Sequence, residues 1–195
     1  MYTYSLIPDS TFFICYLDDI EKPEYLKKII KNNKFNIFIG QIINNEIKKS
    51  NNYKSLEKDF GSKIKIFEYY QYGEILRPLF SREEIIKGEH EVIVIAFILF
   101  SEDEKFIAIL DDIAPRKFIK NNFPQIYESI EWTVGFTKNC YYKHKIFSKE
   151  ETLIILELIQ NSKFRIDPDV ICGLISEVRC SWFGKKYTCK RVDKR

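Results

Sequence analysis

Short apolar runs rich in β-branched and aromatic residues alternate along this chain with segments of helical spacing. That alternation does most to narrow the folds open to it. Tyr2–Ile7, Phe35–Ile39 ("FNIFI"), Ile64–Tyr69, Phe106–Leu110 and the weaker Glu128–Trp132 read as five strands. Helical patterns lie between and after them. Thr11–Leu17 follows the capping residues Asp9-Ser10-Thr11, Glu24–Lys31 is amphipathic, and Gln41–Lys49 carries Ile42, Ile43 and Ile47 at helical spacing. A polar helix is expected near Tyr53–Phe60, a short one at Ala114–Asn121, and another at Thr133–Lys145. The segment "GEHEVIVIAFILF" (Gly88–Phe100) is β-branched from Val92 to Ile95, but its length and its place between strands three and four predict a buried helix. Capping boxes at Ser81–Glu84 and Ser148–Glu151 open two more helices, and Pro168 starts a last one reaching Val178. Strands alternating with helices predict βαβ units and a mainly parallel sheet, an α/β protein.

The chain has 195 residues, room for one well-filled core and little more. Its apolar and charged fractions, 45% and 30%, are those of an ordinary globular protein. The longest apolar run, Val92–Phe100, falls far short of the ~18 residues a membrane span needs. The N-terminus shows no secretory-signal pattern. Five widely spaced cysteines (Cys15, Cys140, Cys172, Cys180, Cys189) include no Cys-x-x-Cys pair, and His90 and His144 supply no zinc-like spacing. A reducing, cytoplasmic setting without a membrane is the expectation. Charge is uneven: Cys180–Arg195 holds six basic residues against Asp193, a net +5, which leaves −2 on the other 179 residues. The expected division is a domain over 1–179 and a basic tail over 180–195. That tail reads equally as a grip on a phosphate backbone or as a solubilising terminus.

Missing motifs remove several chemistries. There is no Gly-x-Gly dinucleotide fingerprint, no P-loop and no Gly-x-Ser-x-Gly elbow. With two histidines in unsuitable settings, a Ser–His or Cys–His nucleophile is disfavoured, and His90 between Glu89 and Glu91 reads as a surface residue. What remains is a set of acids with one address. Open parallel sheets bind ligands beyond the carboxyl ends of their strands. Asp9 falls just past strand one and Asp111 just past strand four, with Asp112 beside it. Glu46 in "QIINNEI" and Glu89 with Glu91 can be aimed at the same crevice. Carboxylates crowded together repel unless some are protonated or a cation compensates, and an all-oxygen set favours Mg²⁺ or Mn²⁺. Singly, Asp9 reads as an N-cap, Glu46 as a solvated helix face and Asp111-Asp112 as a turn.

Asp9-Ser10-Thr11, the Glu of "QIINNEI", "GEHEVIVIA", "ILDDIAPRKF" and "WTVGFTKNCYYKHKIF" occur in the order seen in PIN-domain proteins, and over residues 3–178 the chain resembles the branch related to prokaryotic toxin nucleases. That resemblance implies a three-layer α/β/α sandwich around a five-stranded parallel sheet, with metal-dependent ribonuclease activity. It casts Asp9, Glu46, Glu91 and Asp111 as the metal-binding catalytic acids, with Glu89 and Asp112 sharing or replacing those roles. Thr133 would lie near the site and contact a phosphate or water, and Arg116 and Lys117 are candidates for phosphate contact. RNA, an antitoxin protein and a homodimer partner are implied in the same way. Val92, Pro115 and Trp132 depart from the pattern; Trp132 would stack on a base, narrow the mouth or pack in the core.

The first expectation is therefore a Mg²⁺- or Mn²⁺-dependent endoribonuclease. Its rival is a catalytically inactive PIN-like module that binds RNA or protein. A receiver-like phosphoacceptor domain is weaker, because it needs an Asp after strand three, where Glu68-Tyr69-Tyr70 stands, and a Lys after strand five, where Thr133 stands.

Overall fold

The two central strands are buried on both faces, as the interior of a parallel sheet must be. The computed structural model describes residues 3–58, 62–68 and 87–180. β1 (Tyr4–Pro8) lies between β2 (Phe35–Ile39) and β4 (Phe106–Ile109). β3 (Ile64–Ile66) and β5 (Ile130–Glu131) form the edges, giving the order β3-β2-β1-β4-β5. Every pairing is parallel, with Tyr4 opposite Phe35, Pro8 opposite Ile109, Ile37 opposite Ile64 and Ala108 opposite Ile130. Helices flank the sheet in a three-layer α/β/α sandwich. Chain order runs outward in both directions from β1 and β4, so the topological switch point lies between them.

α1 (Ser10–Ile14) leaves β1 directly and passes into a π-helical turn, Cys15–Asp19, closed by Ile20 N–H to Cys15 O at 3.0 Å. The expected helix Thr11–Leu17 thus splits, because Cys15, Tyr16 and Leu17 are all fully buried, more than one stripe of a regular helix can offer. α2 (Pro23–Ile30) and α3 (Gln41–Ile47) follow at the expected places. Among the described residues, the polar stretch expected to be a helix near Tyr53–Phe60 forms only a 3₁₀ turn at Tyr53–Ser55, since it has no apolar stripe to bury. Strand three ends at Ile66 among the described residues, and Tyr2, Phe60, Tyr69, the capping box Ser81–Glu84 and residues 181–195 lie outside them.

α4 (Gly88–Ser101) confirms the buried helix: Val92–Ala96 are 0–4% exposed, and it packs on β1, β4 and α3. α5 (Ile113–Asn122) follows β4, with Pro115 tolerated in its first turn, and a short α6 (Pro124–Tyr127) precedes β5. α7 (Thr133–Tyr142), α8 (Lys149–Gln160) and α9 (Pro168–Cys180) pack on one another. Ser148 and Glu151 form the expected capping box on α8, each side chain paired with the other's N–H. Phe136 of α7 meets Phe12 of α1 and Phe35 of β2 edge-on or tilted at 5.6–5.8 Å. The Tyr16 and Thr137 hydroxyls share a buried bond of 2.6 Å. Among the described residues no helix is long and apolar enough to cross a membrane.

His144 closes this aromatic cluster. It is buried against Phe35, Phe136 and Tyr4, and its Nε2 has no partner among the described residues. Burial, aided by Lys143 and Lys34, lowers its pKa to about 4. The unfolded chain therefore takes up this proton near pH 6.5 and the folded one only near pH 4, so stability falls as pH drops between those values. In denaturant titrations, wild type is expected to lose about 2 kcal/mol relative to a His144→Phe variant between pH 7 and pH 5.

Candidate active site

Asp9 sits on the last rung between the central strands. Its N–H donates to Ile109 O at 3.1 Å, one residue beyond β1. As the N-cap of α1 its Oδ1 accepts from Ser10 N–H at 2.8 Å, and its Oδ2 accepts from the Thr11 hydroxyl at 3.2 Å. The residue is 5% exposed. Burial pushes its carboxyl up to about 7, with Glu46 and Glu89 adding to the rise against the Ser10 and Thr11 hydrogen bonds. An acid driven to neutral pH by burial and like charges marks a candidate site.

Gly88, the first residue of α4, explains how those acids come so close. A Cβ there would stand 3.0 Å from Asp9 Oδ1, 3.0 Å from Glu46 Oε2 and 3.1 Å from Ile43 Cγ1. Both oxygens therefore lie within about 6 Å of each other, across a gap that a Cβ at residue 88 would crowd. A cleft of about 370 Å³ opens here, lined by Asp9, Asp18, Glu46, Glu89 and Asp112 and also by Lys49. Lys87 offsets Glu89 in part, at 3.7 Å. Thus Asp9, Glu46, Glu89 and Asp112 share one crevice at the switch point.

Glu91 does not join them. It is 0% exposed, and its Oε1 and Oε2 accept from Ile42 N–H and Ile43 N–H, each at 2.9 Å. These are second- and third-position amides of α3, otherwise unpaired, so the carboxylate meets both orphan donors and the positive end of the helix. The cap residue Gly40 has no cap side chain of its own, and a Cβ on it would fall 2.1 Å from the Glu91 carboxyl carbon. In this structure Glu91, expected as a metal-binding acid, joins the start of α3 to α4 and is not among the residues lining the cleft.

Asp111 is also committed. Its Oδ1 accepts from Thr133 N–H at 2.9 Å and its Oδ2 from the Thr133 hydroxyl at 2.6 Å, at the start of α7. Burial raises its carboxyl against those bonds and the nearby charge of Arg116. Asp112, not Asp111, lines the cleft. Thr133 is fully buried and serves Asp111, which leaves it no open face for a phosphate. Arg116 is half-buried, Lys117 is exposed on α5, and neither lines the cleft. Trp132 packs against the core, its indole filling the space beside Gly135 where a Cβ would come within 2.2 Å.

Asp18, Lys49 and Ser50 line the cleft without having been anticipated. Asp18 lies on the π-helical turn, which a search for 3.6-residue spacing does not see; such turns recur at functional sites. Ser50 donates to Asp18 Oδ1 at 2.8 Å and fixes it. The donors around the cleft are oxygen, the chemistry of a hard divalent cation. Among the described residues, however, no three His, Cys, Asp or Glu side chains already stand in a metal-holding arrangement. No protein-family model, curated protein or solved structure matches the chain.

The two kinds of acid are expected to separate in unfolding experiments. Glu91→Gln should cost about 2–4 kcal/mol, because it removes a charge from two amides and turns an NH₂ toward one of them. Asp9→Asn keeps a capping oxygen and removes a buried charge. Since folding raises the Asp9 pKa, its carboxyl destabilises the fold increasingly as pH climbs from about 4 to about 7. Asp9→Asn should therefore gain stability over wild type, by about 3 kcal/mol more at pH 8 than at pH 5.

Proposed function

We propose that this chain is a metal-dependent endoribonuclease of PIN-domain type, hydrolysing RNA phosphodiester bonds with Mg²⁺ or Mn²⁺. The observation that carries the proposal is the meeting of Asp9, Glu46, Glu89 and Asp112 in one cleft beyond the carboxyl ends of β1 and β4. The PIN-like resemblance of the sequence and the strand order 3-2-1-4-5 point the same way.

Asp9 and Glu46, with Glu89 and Asp112, would hold the cation. Once bound, a divalent ion makes water a usable nucleophile near neutral pH and steadies charge on the attacking and leaving oxygens. The chain's own residues prepare that chemistry. Ser10 N–H and the Thr11 hydroxyl orient the Asp9 carboxylate, and burial keeps competing water from it. Gly88 leaves the gap between Asp9 and Glu46 clear, while Glu91 holds the first turns of α3 and α4 together from below. RNA is the substrate. By the toxin-like resemblance, the setting is the cytoplasm, with an antitoxin and a second copy of the chain as further partners.

One observation favours a second reading, a PIN-like module that binds RNA or protein without cleaving: no three metal-binding groups are already assembled among the described residues. The two part in one assay. Purified protein is incubated with end-labelled single-stranded RNA in EDTA or in Mn²⁺, beside Asp9→Asn and Glu46→Gln variants. Cleavage is expected only with Mn²⁺, falling by at least about a hundredfold in either variant. Intact RNA in Mn²⁺ with wild-type protein overturns the nuclease reading.

A further inference from the structure

Lys49 lines the acid cleft and belongs to a run of cations that the chemistry above does not use. Residues 48–58 ("KKSNNYKSLEK") carry Lys48, Lys49, Lys54 and Lys58 against the single acid Glu57. All four lysines are exposed. The backbone beneath them is pinned. Lys48 N–H and Lys49 N–H donate to Asn44 O and Glu46 O at 3.1 Å, closing α3. The Asn52 side-chain amide donates to Leu17 O at 2.7 Å, and Ser50 to Asp18 as described. Tyr53–Ser55 makes its 3₁₀ turn, and Leu56 is fully buried. The result is an anchored segment bearing long, positively charged side chains, with Lys49 on the cleft wall.

A polyanion cannot approach the clustered carboxylates of the cleft unaided. A cation in the cleft compensates charge only at the bond being cut, so the flanking phosphates need positive charge outside it. Lysine suits that task, as a point charge on a flexible stem that follows a backbone without selecting bases. We propose that Lys48, Lys49, Lys54 and Lys58 form a phosphate track that leads single-stranded RNA into the cleft; the identity of the partner rests on the nuclease reading above. This track adds to the phosphate contacts expected of Arg116 and Lys117, neither of which lines the cleft, while the charge of Arg116 acts on Asp111.

The test is binding of fluorescein-labelled oligouridylate, followed by anisotropy in EDTA at several salt concentrations, so that nothing depends on cleavage. A variant with Lys48, Lys49, Lys54 and Lys58 all changed to Gln is compared with wild type. A charge-matched control carries Lys27→Gln, Lys31→Gln, Lys120→Gln and Lys145→Gln. Thermal melts verify that each variant is folded. The track variant is expected to bind at least about tenfold more weakly, with the slope of log K against log salt shallower by roughly 0.7 for each phosphate that is no longer neutralised. Wild-type affinity and slope in the track variant, an equal weakening in the control, or no binding by wild type would each overturn the track. Binding through these lysines by a chain that cleaves nothing with Mn²⁺ leaves the track standing and removes the nuclease reading alone.

Discussion

One buried carboxylate organises the crevice. Glu91, in the first turn of α4, takes the two leading amides of α3 on its two oxygens and is sealed from water. The N-termini of α3 and α4 are thereby locked together. Everything at the cleft inherits its position from that lock: Glu46 on α3, Gly88 and Glu89 on α4, and the approach of both to Asp9. The lock has a condition, which is that residue 40 carries no Cβ. A helix N-terminus is a good host for a negative charge, so the ion that would be costly elsewhere in the core is stabilised here.

The fold was legible in the sequence where burial and periodicity agree. Phe35–Ile39 and Gly88–Ser101 stand almost as expected because each is long or apolar enough to leave one option. Legibility failed where geometry is not 3.6-periodic or where no core awaits the segment. The π-helical turn at Cys15–Asp19 hid Asp18, and the polar stretch after Ser50 could not sustain a helix.

At the site, the acids were found, but their division of labour was not. Simple geometry could have supplied it. Residues two apart on an α-helix point about 200° from one another, so Glu89 and Glu91 cannot both face one cleft. The structure gives Glu89 to the cleft and Glu91 to the interior. The same partition falls on Asp111 and Asp112, where the first holds the start of α7 and the second lines the cleft. A motif of paired acids is thus a pair of different functions, one architectural and one exposed. Only the architectural members have both oxygens spent on backbone or hydroxyl donors from another helix.

The cleft also sets an electrostatic problem that its own residues do not solve. Asp9 is held charged by two hydrogen bonds and pushed toward neutrality by burial and by Glu46 and Glu89, a balance that leaves its pKa at about 7. Packing for stability alone would not retain such a group, because one apolar or amide side chain would relieve the strain. Its presence beside Gly88, where a methyl group would crowd both carboxylates, supports the proposal of a cation site. On that proposal the ion, together with Lys49 on the cleft wall, supplies positive charge inside the cleft. Positive charge outside it must come from the chain, within the ~10 Å over which ionic screening lets it act. Lys49 lines the cleft, and the exposed Lys48, Lys54 and Lys58 stand near it in the chain, on a backbone already tied to Asp18 and Leu17.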